Sequence, residues 1–146
     1  MKRPYHILIC ICVSSILASC HIVMSDNGDL DGLWQLTTVE DLQRDSVYDG
    51  RDSEVTWAFQ DNLLYMRSIE REVYCRFRHA GSQLVISSPY ASGRFMAQHD
   101  DIPLTDTTQL NVFGIYHIDE YFDILQLDGS NMRLQSSRMR LCFRKY

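Results

Sequence analysis

Val73-Tyr74-Cys75-Arg76-Phe77-Arg78 is the stretch that decides the fold class. Val73, Cys75 and Phe77 alternate with Tyr74, Arg76 and Arg78, so one face is apolar and the other polar, the pattern of a half-buried strand. The same period recurs on both sides. Downstream, Ala80-Gly81-Ser82 turns the chain into Leu84–Ile86. Upstream, Trp34 and Leu36 share a face opposite Gln35 and Thr37. Val55, Trp57 and Phe59 alternate with Thr56, Ala58 and Gln60, and Asp61-Asn62 turns into Leu63–Arg67. Towards the end, Phe122–Leu127 leads through Asp128-Gly129 to Met132–Leu134. Ser136-Ser137 then leads to Met139, Leu141 and Phe143, which alternate with Arg138, Arg140, Cys142 and Arg144. Short strands joined by Asn, Asp, Gly and Ser turns predict an all-β antiparallel meander. Consecutive hairpins favour an up-and-down barrel of about eight strands, which leaves no open sheet edge.

The middle, Ser88 to Glu120, is less regular. Arg94–Gln98 offers one more strand. Asp106 stands three residues before Gln109 in the manner of a capping box, and Gly114 falls where a helix would stop, so a short helical turn is expected at Thr107–Phe113. A strand through Leu110, Val112 and Gly114 is the alternative.

The N-terminus has the three parts of an export signal: Lys2 and Arg3, an apolar run from Ile7 to Leu17, then small residues. That run holds 11 residues, against the ~20 that span a bilayer. Leu17-Ala18-Ser19-Cys20 resembles the lipobox of bacterial lipoproteins. The resemblance implies cleavage of residues 1–19, acylation of Cys20 with palmitate-type chains, and a bacterial cell-envelope location, in the outer rather than the inner membrane. Residues 20–31 then read as a flexible polar tether, and 32–146 as a single domain. Without Lys2 and Arg3 the 14 basic residues fall to 12 against 19 acidic ones, a net charge of about −7. Such a chain repels nucleic acid and anionic lipid, so no nucleic-acid partner is expected and membrane attachment rests on the acyl chains. A monomer is expected.

Cys10 and Cys12 leave with the signal and Cys20 is the anchor, which leaves Cys75 and Cys142. The alternation turns Cys75 inward with Val73 and Phe77, and Cys142 outward with the arginines. They should therefore not bond to each other, because a disulfide needs facing Cβ atoms ~3.5–4.5 Å apart. No C-x-x-C spacing suggests zinc.

Gly32-Leu33-Trp34, opening the first strand, resembles the G-x-W entry of lipocalins, and more closely that of short lipocalin-like bacterial lipoproteins. The likeness covers residues 32–146 as architecture. It implies that Trp34 closes the barrel floor beneath an arginine of the last strand, with Arg140 and Arg144 as candidates, although their alternation points both outward. It also implies a ligand cup lined by Trp34, Trp57, Phe59, Phe77, Phe122 and Phe143. Six bulky rings could equally fill so small a barrel.

Other chemistry is sparse. His117-x-Asp119-Glu120 and His99-Asp100-Asp101 carry metal-ligand atoms but read as solvated turns, and no metal or cofactor is expected. No nucleophile elbow, paired catalytic carboxylates or phosphate loop appears, so the chain does not read as an enzyme. The arginines of the last strand, with Lys145, read as an outward basic face. Two functions stand: an anchored lipoprotein binding a small apolar ligand in its barrel, or a structural or protein-interaction lipoprotein with a solid core. The lipobox reading predicts that intact-mass analysis finds acyl chains on an N-terminal Cys20. Cys20→Ala should move the protein out of the membrane fraction, and a variant that stays membrane-bound contradicts the anchor.

Overall fold

Period-two segments hydrogen-bond in sequence order because each tight turn returns the chain beside the strand it has just left. In the computed structural model, which describes residues 27–92 and 101–146, the strands are β1 (Gly32–Asp41), β2 (Ser46–Asp49), β3 (Thr56–Gln60), β4 (Leu63–Arg67), β5 (Glu72–Ala80), β6 (Gln83–Ala91), β7 (Ile102–Pro103), β8 (Glu120–Leu127), β9 (Asn131–Gln135) and β10 (Met139–Lys145). β1, β3, β4, β5, β6, β8, β9 and β10 follow one another antiparallel, and β10 pairs back onto β1. The result is a closed eight-stranded barrel, with β2 added on β1 and β7 on β6. Among the described residues no helix is long and apolar enough to cross a membrane.

Alternation sets the inside. Trp34, Leu36, Trp57, Phe59, Leu64, Met66, Val73, Cys75, Phe77, Leu84, Ile86, Phe122, Met132, Leu134, Leu141 and Phe143 form one buried core. β6 runs further than the Leu84–Ile86 expected. Ser88 adopts a left-handed backbone with φ 50, and the register shifts between Tyr74 and Arg76 opposite it. This bulge carries the strand past Pro89, whose ring would otherwise end it. The expected strand Arg94–Gln98 lies outside the described residues.

The floor differs from the expectation in two respects. The tether was expected to run to residue 31, but the chain is fixed from Asn27 onward. Asn27 Nδ2 donates to the Asp61 carbonyl at 2.7 Å, and a 3-10 turn at Gly28–Leu30 buries Leu30 completely. Trp34 Nε1 donates to the Leu30 carbonyl at 2.8 Å, so an apolar side chain and an indole hydrogen bond together anchor the turn. The residue over Trp34 is Lys145, not Arg140 or Arg144. Its Nζ sits 4.9 Å from the ring centroid and donates to the Asp29 carbonyl at 2.8 Å. Lys145 has the inward parity of Leu141 and Phe143, whereas Arg140 and Arg144 have the outward one. Gly32 is needed here: it has φ +119, and a Cβ would stand 2.9 Å from Lys145 Cε.

The other end is closed by residues 104–115. Asp106 does not cap a helix as expected: it accepts from the Thr108 N–H at 2.9 Å, and the helical turn further on starts at Leu110 with no side-chain cap. The turn is a shorter 3-10 turn, Asn111–Phe113, closed by Gly114 at φ 82. Leu104, Leu110, Phe113 and Ile115 belong to the barrel core. A Cβ on Gly114 would lie 2.7 Å from a Leu141 methyl, so the plug sits directly on β10.

Denaturant unfolding tests the floor. Trp34→Ala should cost about 3–5 kcal/mol, as for large aromatics deleted from cores. Arg144→Ala, at an exposed position, should stay within about 0.5 kcal/mol of the parent.

Candidate functional site

The barrel interior is the first candidate, because six inward aromatics converge there. All six are buried, with Phe77 the most exposed at 7%. Trp57 touches Phe59 at a centroid distance of 6.1 Å, Phe122 at 6.1 Å and Phe143 at 4.9 Å. Phe59 meets Phe77 edge-on at 5.0 Å. β3 and β8 are four places apart in either direction round the ring. The Trp57–Phe122 contact therefore crosses the full width of the barrel. Trp34 stands directly opposite Trp57 across the β1–β3 ladder, on the floor side under Lys145.

Within this apolar space one polar atom stands out: Trp57 Nε1 is buried without a hydrogen-bond partner. An unpaired buried N–H ordinarily costs ~1–3 kcal/mol.

At the mouth, Asp41 and Glu120 are buried carboxylates that organise backbone. Asp41 Oδ1 accepts from the N–H groups of Gln43 and Arg44 at 3.0 and 3.1 Å, and its Oδ2 lies 3.5 Å from Arg138. The Arg138 guanidinium stacks 3.9 Å over the Tyr116 ring, tying the plug to β10. Glu120 Oε2 accepts from the N–H groups of Tyr116 and His117 at 2.8 and 3.0 Å.

That arrangement accounts for the His117-x-Asp119-Glu120 run. Glu120 is turned inward as a turn-maker, while His117 and Asp119 are exposed. Among the described residues no group of three His, Cys, Asp or Glu side chains is placed to hold a metal. His99 and Asp100 lie outside the described residues, as does Cys20. The basic face of β10 is largely engaged. Arg140 pairs with Glu40 at 2.7 Å and Gln135 at 2.9 Å, Arg138 with Asp41 and Tyr116, and Lys145 with the floor, which leaves Arg144 exposed.

The thiols take the two faces expected of them. Cys75 is 1% exposed, and burial pushes its thiol up to about 12, an inert core group. Cys142 is half-buried, and both cysteines are free.

The model of the lipocalin-like domain family matches residues 15–146. The chain belongs to the lipocalin-like domain family. Two solved structures share the fold of this lipocalin-like chain. A lipocalin-like protein from Bacteroides uniformis is 19% identical, with a TM-score of 0.60, covering 82% of this chain and 100% of that one. An uncharacterized protein from Bacteroides eggerthii is 17% identical, with a TM-score of 0.57, covering 80% and 99%. None of the curated proteins matches.

Sequence reasoning did not find the plug residues Leu110, Phe113 and Ile115 as part of the barrel interior, nor the outer-face cleft beside the Arg51–Ser53 turn. The three-residue spacing of Leu110 and Phe113 pointed to the helical turn but not to the barrel interior that it fills. The unequal burial of the two cysteines predicts a specific thiol chemistry. In the native protein an alkylating reagent should label Cys142 and leave Cys75 unlabelled. Both should label once the protein is denatured without reductant, and a failure to label then would reveal a disulfide.

Proposed function

We propose that this protein is a lipid-anchored lipocalin-like lipoprotein of the bacterial cell envelope whose barrel is a solid support, and that it works through its outer surface. The observation that carries the solid-core reading is the Trp57–Phe122 contact, because rings from opposite strands leave no width between them for a ligand. The floor turn with Leu30 and the plug with Phe113 seal the two ends, both residues being fully buried. Anchoring rests on the Leu17–Cys20 lipobox. With Asn27 bonded to the floor, residues 21–26 reach at most ~22 Å, so the floor of the barrel would face the membrane and the mouth would face away. The outer rather than the inner membrane and a monomeric state complete the proposal, with no cofactor and no catalysis.

A second reading has a specific observation behind it. The unpartnered Trp57 Nε1–H is where a small apolar ligand with one polar group would be held, once the plug moved aside. A fluorescent fatty-acid analogue, titrated against the mature protein in micelles with protein-free micelles as the blank, separates the two. The solid barrel predicts no saturable signal. Saturable one-to-one binding that weakens in Trp57→Phe, which keeps the ring but loses the N–H, would establish the ligand reading instead.

A further inference from the structure

The outer face carries a cleft of about 410 Å³, inside the ~300–1,000 Å³ range of small-molecule sites. Its floor is a row of outward side chains on adjacent strands: Gln35 of β1 opposite Thr56 of β3, and Thr56 opposite Arg67 of β4. The cleft exists because β2 and β3 are one course along β1 interrupted at residues 50–55. The interruption is pinned at both ends, by Gly50 N–H to the Thr37 carbonyl at 3.0 Å and Leu36 N–H to the Val55 carbonyl at 3.0 Å. Between those pins the chain lifts off as a 3-10 turn at Arg51–Ser53, closed by Glu54 in the left-handed region at φ 50. Ile69 and Tyr146 form the opposite rim, 70% and 74% exposed.

Both arginines of this cleft have carboxylates beside them. Arg51 is held by the Asp49 carboxylate through two contacts, at 2.9 and 2.6 Å. Arg67 stands opposite Glu72 across the β4–β5 ladder, and Glu54 adds a further carboxylate. In a domain with a net negative charge, such a site does not select an anion. It offers an amide, a hydroxyl, a guanidinium and a carboxylate, donors and acceptors together, beside an exposed aromatic ring and an aliphatic side chain. A neutral, hydroxyl-rich molecule with an apolar C–H face matches that set.

We propose that the cleft between the 51–54 turn and the Ile69–Tyr146 rim is a binding site for a neutral saccharide. The side chains of Gln35, Thr56, Glu54 and Arg67 would hydrogen-bond the hydroxyls, and the Tyr146 ring would take the C–H face of a sugar ring. This inference rests on the reading that the protein works through its outer surface.

The test is a titration of the mature protein, in a detergent without a sugar headgroup, with neutral di- to tetrasaccharides built from glucose, galactose, mannose and N-acetylglucosamine. Sulfated and uronic-acid counterparts form a second arm. At least one neutral saccharide should bind. Gln35→Ala and Tyr146→Ala should each weaken it about tenfold or more without changing the melting temperature. No neutral binder at millimolar concentration, binding indifferent to both substitutions, or preference for the acidic arm overturns the proposal. An apolar probe entering the barrel would instead overturn the solid-core reading, and a dry barrel with no saccharide bound would overturn only the cleft.

Discussion

The contact between Trp57 and Phe122 is the constraint on which the structure turns. Eight strands enclose an interior just wide enough for side chains to fill. An indole on β3 that reaches a phenyl ring on the diametrically opposite strand uses that width entirely. Phe59 and Phe143 pack against the same indole and Phe77 meets Phe59 edge-on, in tilted and edge-on contacts of the kind aromatic rings favour. A barrel packed this way gains stability from contacts among its own side chains.

Filling the middle leaves two ends to close, and the chain closes them by different means. The floor is local in sequence: Leu30 and Trp34 are four residues apart and share one hydrogen bond. Lys145 then clamps the turn from the far end of the chain, with its ammonium over the indole and on the Asp29 carbonyl. The mouth is closed by the segment before β8, where Leu104, Leu110, Phe113 and Ile115 are buried in the core. Its polar backbone is satisfied by the buried Glu120, and its flank is held by the Arg138–Tyr116 stack. Gly114 permits this, since any side chain there would collide with Leu141.

The barrel was legible because a period of two needs only the alternation of Val73, Cys75 and Phe77 with their polar neighbours. The same parity decided the faces of Cys75 and Cys142. It also contained Lys145, which shares the inward register of Phe143, although the lipocalin resemblance implies an arginine over Trp34. Other parts were not legible for physical reasons. Leu30 is a single apolar residue in a polar run, and its burial depends on Trp34 offering an N–H to its carbonyl. β6 is interrupted on paper by Ser87-Ser88-Pro89, and only the left-handed Ser88 shows how the strand continues. Whether six aromatics line a cup or fill it depends on which strands face each other across the barrel, which no local pattern encodes. The outer cleft is likewise assembled from β1, β3, β4 and the C-terminus.

A shut, solid barrel makes its plug part of the core and not a lid. Native-state amide hydrogen exchange reads this directly at Phe113 and Ile115, whose N–H groups both donate to the Leu110 carbonyl, at 2.9 and 3.3 Å. If the account is right, these amides exchange only through global unfolding, within about tenfold of the slowest strand amides around Leu141 and Met132. Exchange at Phe113 and Ile115 a thousandfold or so faster than in those strands would show a mouth that opens on its own, and would contradict it.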